Sequence, residues 1–130
     1  MTHVEVEFPL RTVSAMNSRE HWAARARAAR DQRMMTRMAL ATRADWRPRG
    51  LCWVVTLTRV APSKGLDGDN LQAALKHVRD GVADVLGIDD GSADITWLYR
   101  QEQTPTRRGR NGGNCVIGHR YLVRVTISLR

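Results

Sequence analysis

Two pairs of carboxylates bracket one stretch of the chain: Asp67 and Asp69 before it, Asp89 and Asp90 after it. Between them lies Lys76, one of only two lysines. Carboxylate oxygens are hard ligands and suit Mg²⁺ or Mn²⁺ far better than zinc. A divalent ion held there would polarise a phosphodiester and activate a water, while Lys76 would stabilise charge on the phosphate. Each pair also has an ordinary structural explanation. Asp69 or Asn70 would cap a helix, Asp67-Gly68 would be turn chemistry, and Asp89-Asp90-Gly91 would make a plain turn.

Charge distribution argues for the chemical explanation. The chain carries 21 Lys+Arg against 13 Asp+Glu, a net +8. Segment 67–94 nevertheless holds seven acids and two bases, a net −5, so the remainder nets +13. A chain this basic has no solubility reason to gather half its acids in one place. Nineteen of the bases are Arg, which favours planar bidentate contacts with phosphate, so the expected partner is nucleic acid rather than a lipid surface. Arg30, Arg33 and Arg37 share one stripe of a helix, and Arg107, Arg108 and Arg110 crowd a glycine-rich segment. We expect both groups to contact phosphates, although such a helical stripe is often only a solvated face.

Other sites fare worse. After Asp67-Gly68-Asp69 an EF-hand needs an oxygen ligand where Leu71 stands, and its glycine is missing. Cys115 and His119 are four apart, but no second pair completes a zinc site. His21 and His77 stand alone, and there is no Gly-rich phosphate loop or Ser/Cys nucleophile motif. No small-molecule cofactor is expected.

The elements that must position these groups can be read from periodicity. With 130 residues, 42% hydrophobic and 26% charged, the chain is expected to be a single domain, residues 1–130, with a real core. Val4 to Phe8 alternate as a strand closed by Pro9. A helix capped by Ser18 is expected over Arg19–Ala41, then a buried strand over Leu51–Val60. The second helix, Asn70 to Leu86, carries Leu71, Leu75, Val78, Val82 and Val85 on one face and ends at Gly87. On its opposite face lie Asp69, Ala73, Lys76 and Asp80, with Lys76 leaning back towards Asp69. Strands are expected at Ile95–Arg100 and Tyr121–Leu129, joined by a long polar connection over Thr104–Gly118. The order β-α-β-α-β-β predicts a small α/β domain with helices packed on a mixed sheet. No apolar run approaches the roughly 20 residues of a membrane span. The N-terminus lacks the pattern of a signal peptide, and two cysteines give no disulfide framework, so a cytoplasmic setting is expected.

Taken together, Leu66-Asp67-Gly68-Asp69-Asn70-Leu71, the following helix, Arg79-Asp80-Gly81-Val82-Ala83-Asp84 and Gly87-Ile88-Asp89-Asp90 resemble the RusA family of Holliday-junction resolvases. The match spans about residues 62–100, with a weaker similarity at Asn17 and His21-Trp22. The resemblance implies a small homodimeric, Mg²⁺-dependent DNA endonuclease of the kind common in phages and prophages. Such an enzyme binds branched DNA, a four-way junction, and makes paired symmetric nicks in recombination and repair. By position, Asp67, Asp69 and the Asp89/Asp90 pair match the family's metal-binding carboxylates. The family's catalytic lysine falls four residues after the second Asp, where this chain has Ala73. Lys76, one turn further along the same face, is the candidate to replace it. Two other functions remain open on the residues: a junction-binding protein whose catalysis has decayed, and a metal-dependent hydrolase of another phosphate ester.

Overall fold

Two alternating strands supply most of the core. β1 (His3–Pro9) buries Val4, Val6 and Phe8, and β6 (Leu122–Leu129) buries Val123, Val125 and Ile127. They pair antiparallel, with Val4 opposite Ile127 and Phe8 opposite Val123. Between β6 and β3 (Ile95–Gln103) runs β2 (Trp53–Ala61), rich in β-branched residues and the most buried strand of the four. The sheet order is β1-β6-β2-β3, with β2 antiparallel to β6 and parallel to β3. The architecture is thus a small α/β fold on a mixed four-stranded sheet, as the sequence predicts. The computed structural model describes residues 3–12, 21–43, 52–62, 65–108, 114–116 and 120–129, with backbone alone at 106–108 and 114–116.

A parallel pair needs a crossover, and the β2–β3 crossover carries the acidic segment. Here one expectation is corrected. The single helix expected over Asn70–Leu86 is two, α2 (Gly68–Ala74) and α3 (Lys76–Leu86). They part at Leu75, whose φ of −102° and ψ of 4° leave the α region. Its N–H is shared between the Leu71 and Gln72 carbonyls, both at 3.2 Å. No glycine or proline marks the break. Leu75 is wholly buried, and its packing in the core outweighs local helix preference. The apolar stripe survives, since Leu71, Leu75, Val78 and Val82 are all buried and Val85 packs at its edge. Gly87 ends α3 at φ 70°, a left-handed cap that glycine adopts without strain. Its N–H bonds Asp84 O while Ile88 N–H bonds Ala83 O, closing the last turn.

α1 (Trp22–Ala41) begins later than the expected Arg19, and its cap is not Ser18, which lies outside the described residues. His21 caps it instead, Nδ1 accepting from Ala23 N–H at 3.2 Å. α1 lies across α3, and Gly81 of α3 sits directly against it. A Cβ there would stand 2.7 Å from Arg33 O and 2.8 Å from Thr36 Cβ.

The long polar connection is also corrected in part. Within it β4 (Thr106–Arg108) and β5 (Asn114–Val116) pair as an antiparallel hairpin. Glycine-rich polar sequence hides such a pairing because no apolar alternation marks it. No helix among the described residues is long and apolar enough to cross a membrane.

Candidate active site

The inward face of β3 grips both carboxylate turns. Ile95, Trp97, Tyr99 and Gln101 alternate onto the helix-covered face, beside Trp53, Val55, Leu57 and Arg59 of β2. Gln101 acts as a short piece of backbone: its Oε1 accepts from Leu66 N–H at 2.8 Å, and its Nε2 donates to Leu66 O at 2.7 Å. This pins the residue before Asp67. A Cβ on Gly65 would lie 2.9 Å from the Gln101 amide, so a larger residue there would push the clamp aside. Removing the clamp with Gln101→Leu is expected to cost about 1 kcal/mol and to accelerate amide hydrogen exchange at Leu66. Unchanged exchange at Leu66 would show that the clamp holds nothing.

Asp67 then starts α2. Its Oδ1 accepts from Asn70 N–H at 2.9 Å and from Asn70 Nδ2 at 3.0 Å, an N-cap that satisfies an otherwise orphaned donor. The cap is therefore Asp67 and not the expected Asp69 or Asn70, and the second Asp67 oxygen makes no hydrogen bond among the described residues. Asp69 sits exposed in the first turn of α2.

The other turn is tied from three sides. Trp97 Nε1 and Arg79 Nη2 each donate to Asp90 O at 2.8 Å. Arg79 Nη1 donates to Tyr99 Oη at 2.9 Å, and its guanidinium lies 4.7 Å over the Trp97 ring. Arg79 Nε stands 3.4 Å from Asp90 Oδ2. Asp89 Oδ1 accepts from Gly91 N–H at 3.1 Å, the ordinary turn chemistry expected of Asp89-Asp90-Gly91. That N–H, and then the neighbouring Asp90 carboxyl, hold Asp89 below the usual carboxylate range.

Beside the Asp90 turn runs a groove of about 300 Å³, lined by Gln72, Ala73, Lys76, Arg79, Asp90 and Tyr99. Lys76 and Asp90 are therefore brought together, and Ala73 lines the same groove. Asp69 lies one turn before Ala73 on α2 and is not among the residues that line this groove. The expected straight face from Asp69 through Lys76 to Asp80 is interrupted by the break at Leu75. Asp80 instead faces His77, Oδ2 to Nδ1 at 3.6 Å. Among the described residues, which include Asp67, Asp69, Asp89 and Asp90, no three His, Cys, Asp or Glu side chains come together as a group that could hold a metal ion, so the expected four-carboxylate cluster is not assembled in this arrangement. The donors themselves are all carboxylates, a set that fits Mg²⁺ or Mn²⁺ by its chemistry.

Of the expected phosphate contacts, Arg33 is engaged within the protein. Its Nε and Nη2 bond the two Asp84 oxygens at 2.5 and 2.6 Å, a bidentate tie between α1 and α3. The Arg33 bond holds Asp84 below the usual carboxylate range. Arg30 is exposed, while Arg37 lines a second groove of about 470 Å³ with Met34, Met38 and Asp84. The side chains of Arg107 and Arg108, and all of Arg110, lie outside the described residues.

No protein-family model matches the chain. It is similar to an uncharacterized protein of Xylella fastidiosa (strain Temecula1 / ATCC 700964), 34% identical over 99 residues. The match covers 69% of this chain and 61% of the relative, so the chain spans about three-fifths of the relative's length.

Proposed function

We propose that this chain is a Mg²⁺-dependent, structure-specific DNA endonuclease of the RusA type, resolving four-way junctions by paired symmetric nicks. One observation carries the reading. Two carboxylate turns are clamped by the same strand face, and the groove beside the second holds Lys76 with Asp90.

Asp67, Asp69, Asp89 and Asp90 would hold the metal. A bound Mg²⁺ or Mn²⁺ supplies Lewis acidity towards the phosphodiester and lowers the pKa of a water. Lys76 donates to a phosphate oxygen in the groove, where its charge offsets what develops as the P–O bond breaks. Arg79 is a positioning residue: it holds Asp90 through its backbone carbonyl, so the carboxylate is aimed without the carbonyl competing for substrate. Arg30 and Arg37 lie on the exposed surface of α1 and steady the backbone of the nucleic acid. A homodimer would present two such sites to a substrate with two-fold symmetry, and the reaction would take place in the cytoplasm.

A second reading, a junction-binding protein that does not cut, draws on the Arg79–Asp90 contact and on Ala73. Hydrolysis of another phosphate ester is the third. Competition among unlabelled junction, duplex, single strand and RNA against a labelled four-way junction separates them. Our reading expects the junction to compete best and to be nicked in Mg²⁺. Equal competition by RNA or duplex would overturn it.

A further inference from the structure

Arg59 is a cation in the wrong place for an ordinary core. The register sets Phe8, Val123, Arg59 and Gln101 side by side on the helix-covered face of the sheet, one from each strand. Arg59 is only 7% exposed, and its Nε is buried without a hydrogen-bond partner. Burial pulls its pKa down from the ordinary value, and Tyr121 is the titratable group that faces it. Charged side chains are seldom buried unless something pairs with them.

Two more guanidinium groups stand at the same end of the sheet. Arg11 lies 5.0 Å over the Tyr121 ring and Arg120 5.9 Å from it. Both are anchored through backbone: Leu10 N–H bonds Tyr121 O, and Arg120 O accepts from Thr104 Oγ1. The nearby acids are committed elsewhere, since Glu7 and Glu102 bond Arg124 on the opposite face at 2.8 and 2.9 Å. Among the described residues no carboxylate pairs with Arg11, Arg59 or Arg120. The place is also next to the candidate active site. Arg59 is the cross-strand neighbour of Gln101, which clamps Leu66 beside Asp67.

We propose that Arg11, Arg59 and Arg120, gathered around Tyr121, form an anion site that takes a phosphodiester group of the bound DNA strand. The assignment of DNA as the source rests on the endonuclease reading. The need for an anion does not, because it follows from a nearly buried arginine whose Nε has no partner and with which no carboxylate among the described residues pairs. A phosphate supplies the oxygen acceptors that three guanidinium groups lack, and guanidinium geometry suits it.

Thermal unfolding in sodium phosphate against sodium chloride of equal ionic strength is the first test. Phosphate is expected to raise the wild-type Tm by about 3 °C or more at saturating concentration. Arg59→Met should abolish that shift while leaving the Tm in chloride equal or higher, because an unpaired buried charge is gone. Should Arg59→Met fail to fold, the exposed double variant Arg11→Gln/Arg120→Gln replaces it and is expected to lose the shift too. A wild-type Tm no higher in phosphate than in chloride overturns the site. So does a shift that survives in these variants.

The second arm is binding of a labelled four-way junction in EDTA across a salt series. Losing one phosphate contact is expected to reduce the slope of log K against log [NaCl] by about 0.9. A phosphate shift with an unchanged slope would assign the site to free phosphate and overturn the DNA contact. A junction that is cut normally by a protein without the phosphate shift defeats this inference alone. A phosphate shift without any cutting defeats the endonuclease reading alone.

Discussion

Asp90→Asn is expected to lower the rate of junction cleavage by about 100-fold or more with little change in thermal unfolding. The two effects separate because of how the turn is held. Trp97 and Arg79 grip the carbonyl of Asp90, not its carboxylate, so the substitution leaves both bonds in place. What stability is lost is the 3.4 Å contact with Arg79 Nε, a partly exposed pair worth at most about 1 kcal/mol. The side chain that remains has the same shape but no charge for a metal or a proton. Asp67→Asn would be a poorer probe, since Asp67 also caps α2 and any loss of activity would mix with a loosened helix. Steady-state cleavage and a melting curve on the same preparation check the prediction. Full activity in Asp90→Asn would remove Asp90 from the site.

Gly81→Ala is expected to destabilise the fold by about 1–3 kcal/mol, read as a lower midpoint in urea. On helix propensity alone the substitution should help, by up to about 1 kcal/mol. Packing decides the sign. The new methyl would meet Arg33 O at 2.7 Å and Thr36 Cβ at 2.8 Å, and the first of these is backbone that cannot rotate away. α1 must move off α3, and the bidentate Arg33–Asp84 pair spans that same interface. The ion pair gives the interface a pH dependence as well. Asp84 titrates below its ordinary 3.8, so its contribution is present above that value and fades as the pH falls through its lowered pKa. An equal or higher urea midpoint in Gly81→Ala would mean the helices cross elsewhere.

Much of this frame is legible in the residues themselves. Val4, Val6 and Phe8 alternate, as do Val123, Val125 and Ile127, and each trio faces the core. The Leu71–Val82 stripe and the Gly87 stop are local signals that tertiary structure does not override. Leu75 breaks its helix without any local mark, because the force acting on it is burial against distant strands. The carboxylate pairs stand out by charge, but what aims them does not. Trp97, Tyr99 and Gln101 alternate like any half-buried strand, and only the folded structure shows that they reach Asp90, Arg79 of α3 and Leu66 in turn. Arg33 fits a phosphate-facing stripe by spacing, and its partner Asp84 lies 51 residues away in sequence. Arg59 sits in a run of β-formers where its burial could be foreseen but its missing counter-ion could not.

Cleavage of a labelled synthetic four-way junction in Mg²⁺, Mn²⁺ or EDTA, by wild type and by Asp69→Asn, bears most directly on the central claim. Asp69 is exposed in the first turn of α2 and makes no hydrogen bond among the described residues, so the variant changes charge and little else. The wild type is expected to make paired symmetric nicks in either metal, abolished by EDTA and by Asp69→Asn. Tight junction binding with no nick under either metal would contradict that claim and leave a DNA-binding protein, with Ala73→Lys as the substitution to restore cutting.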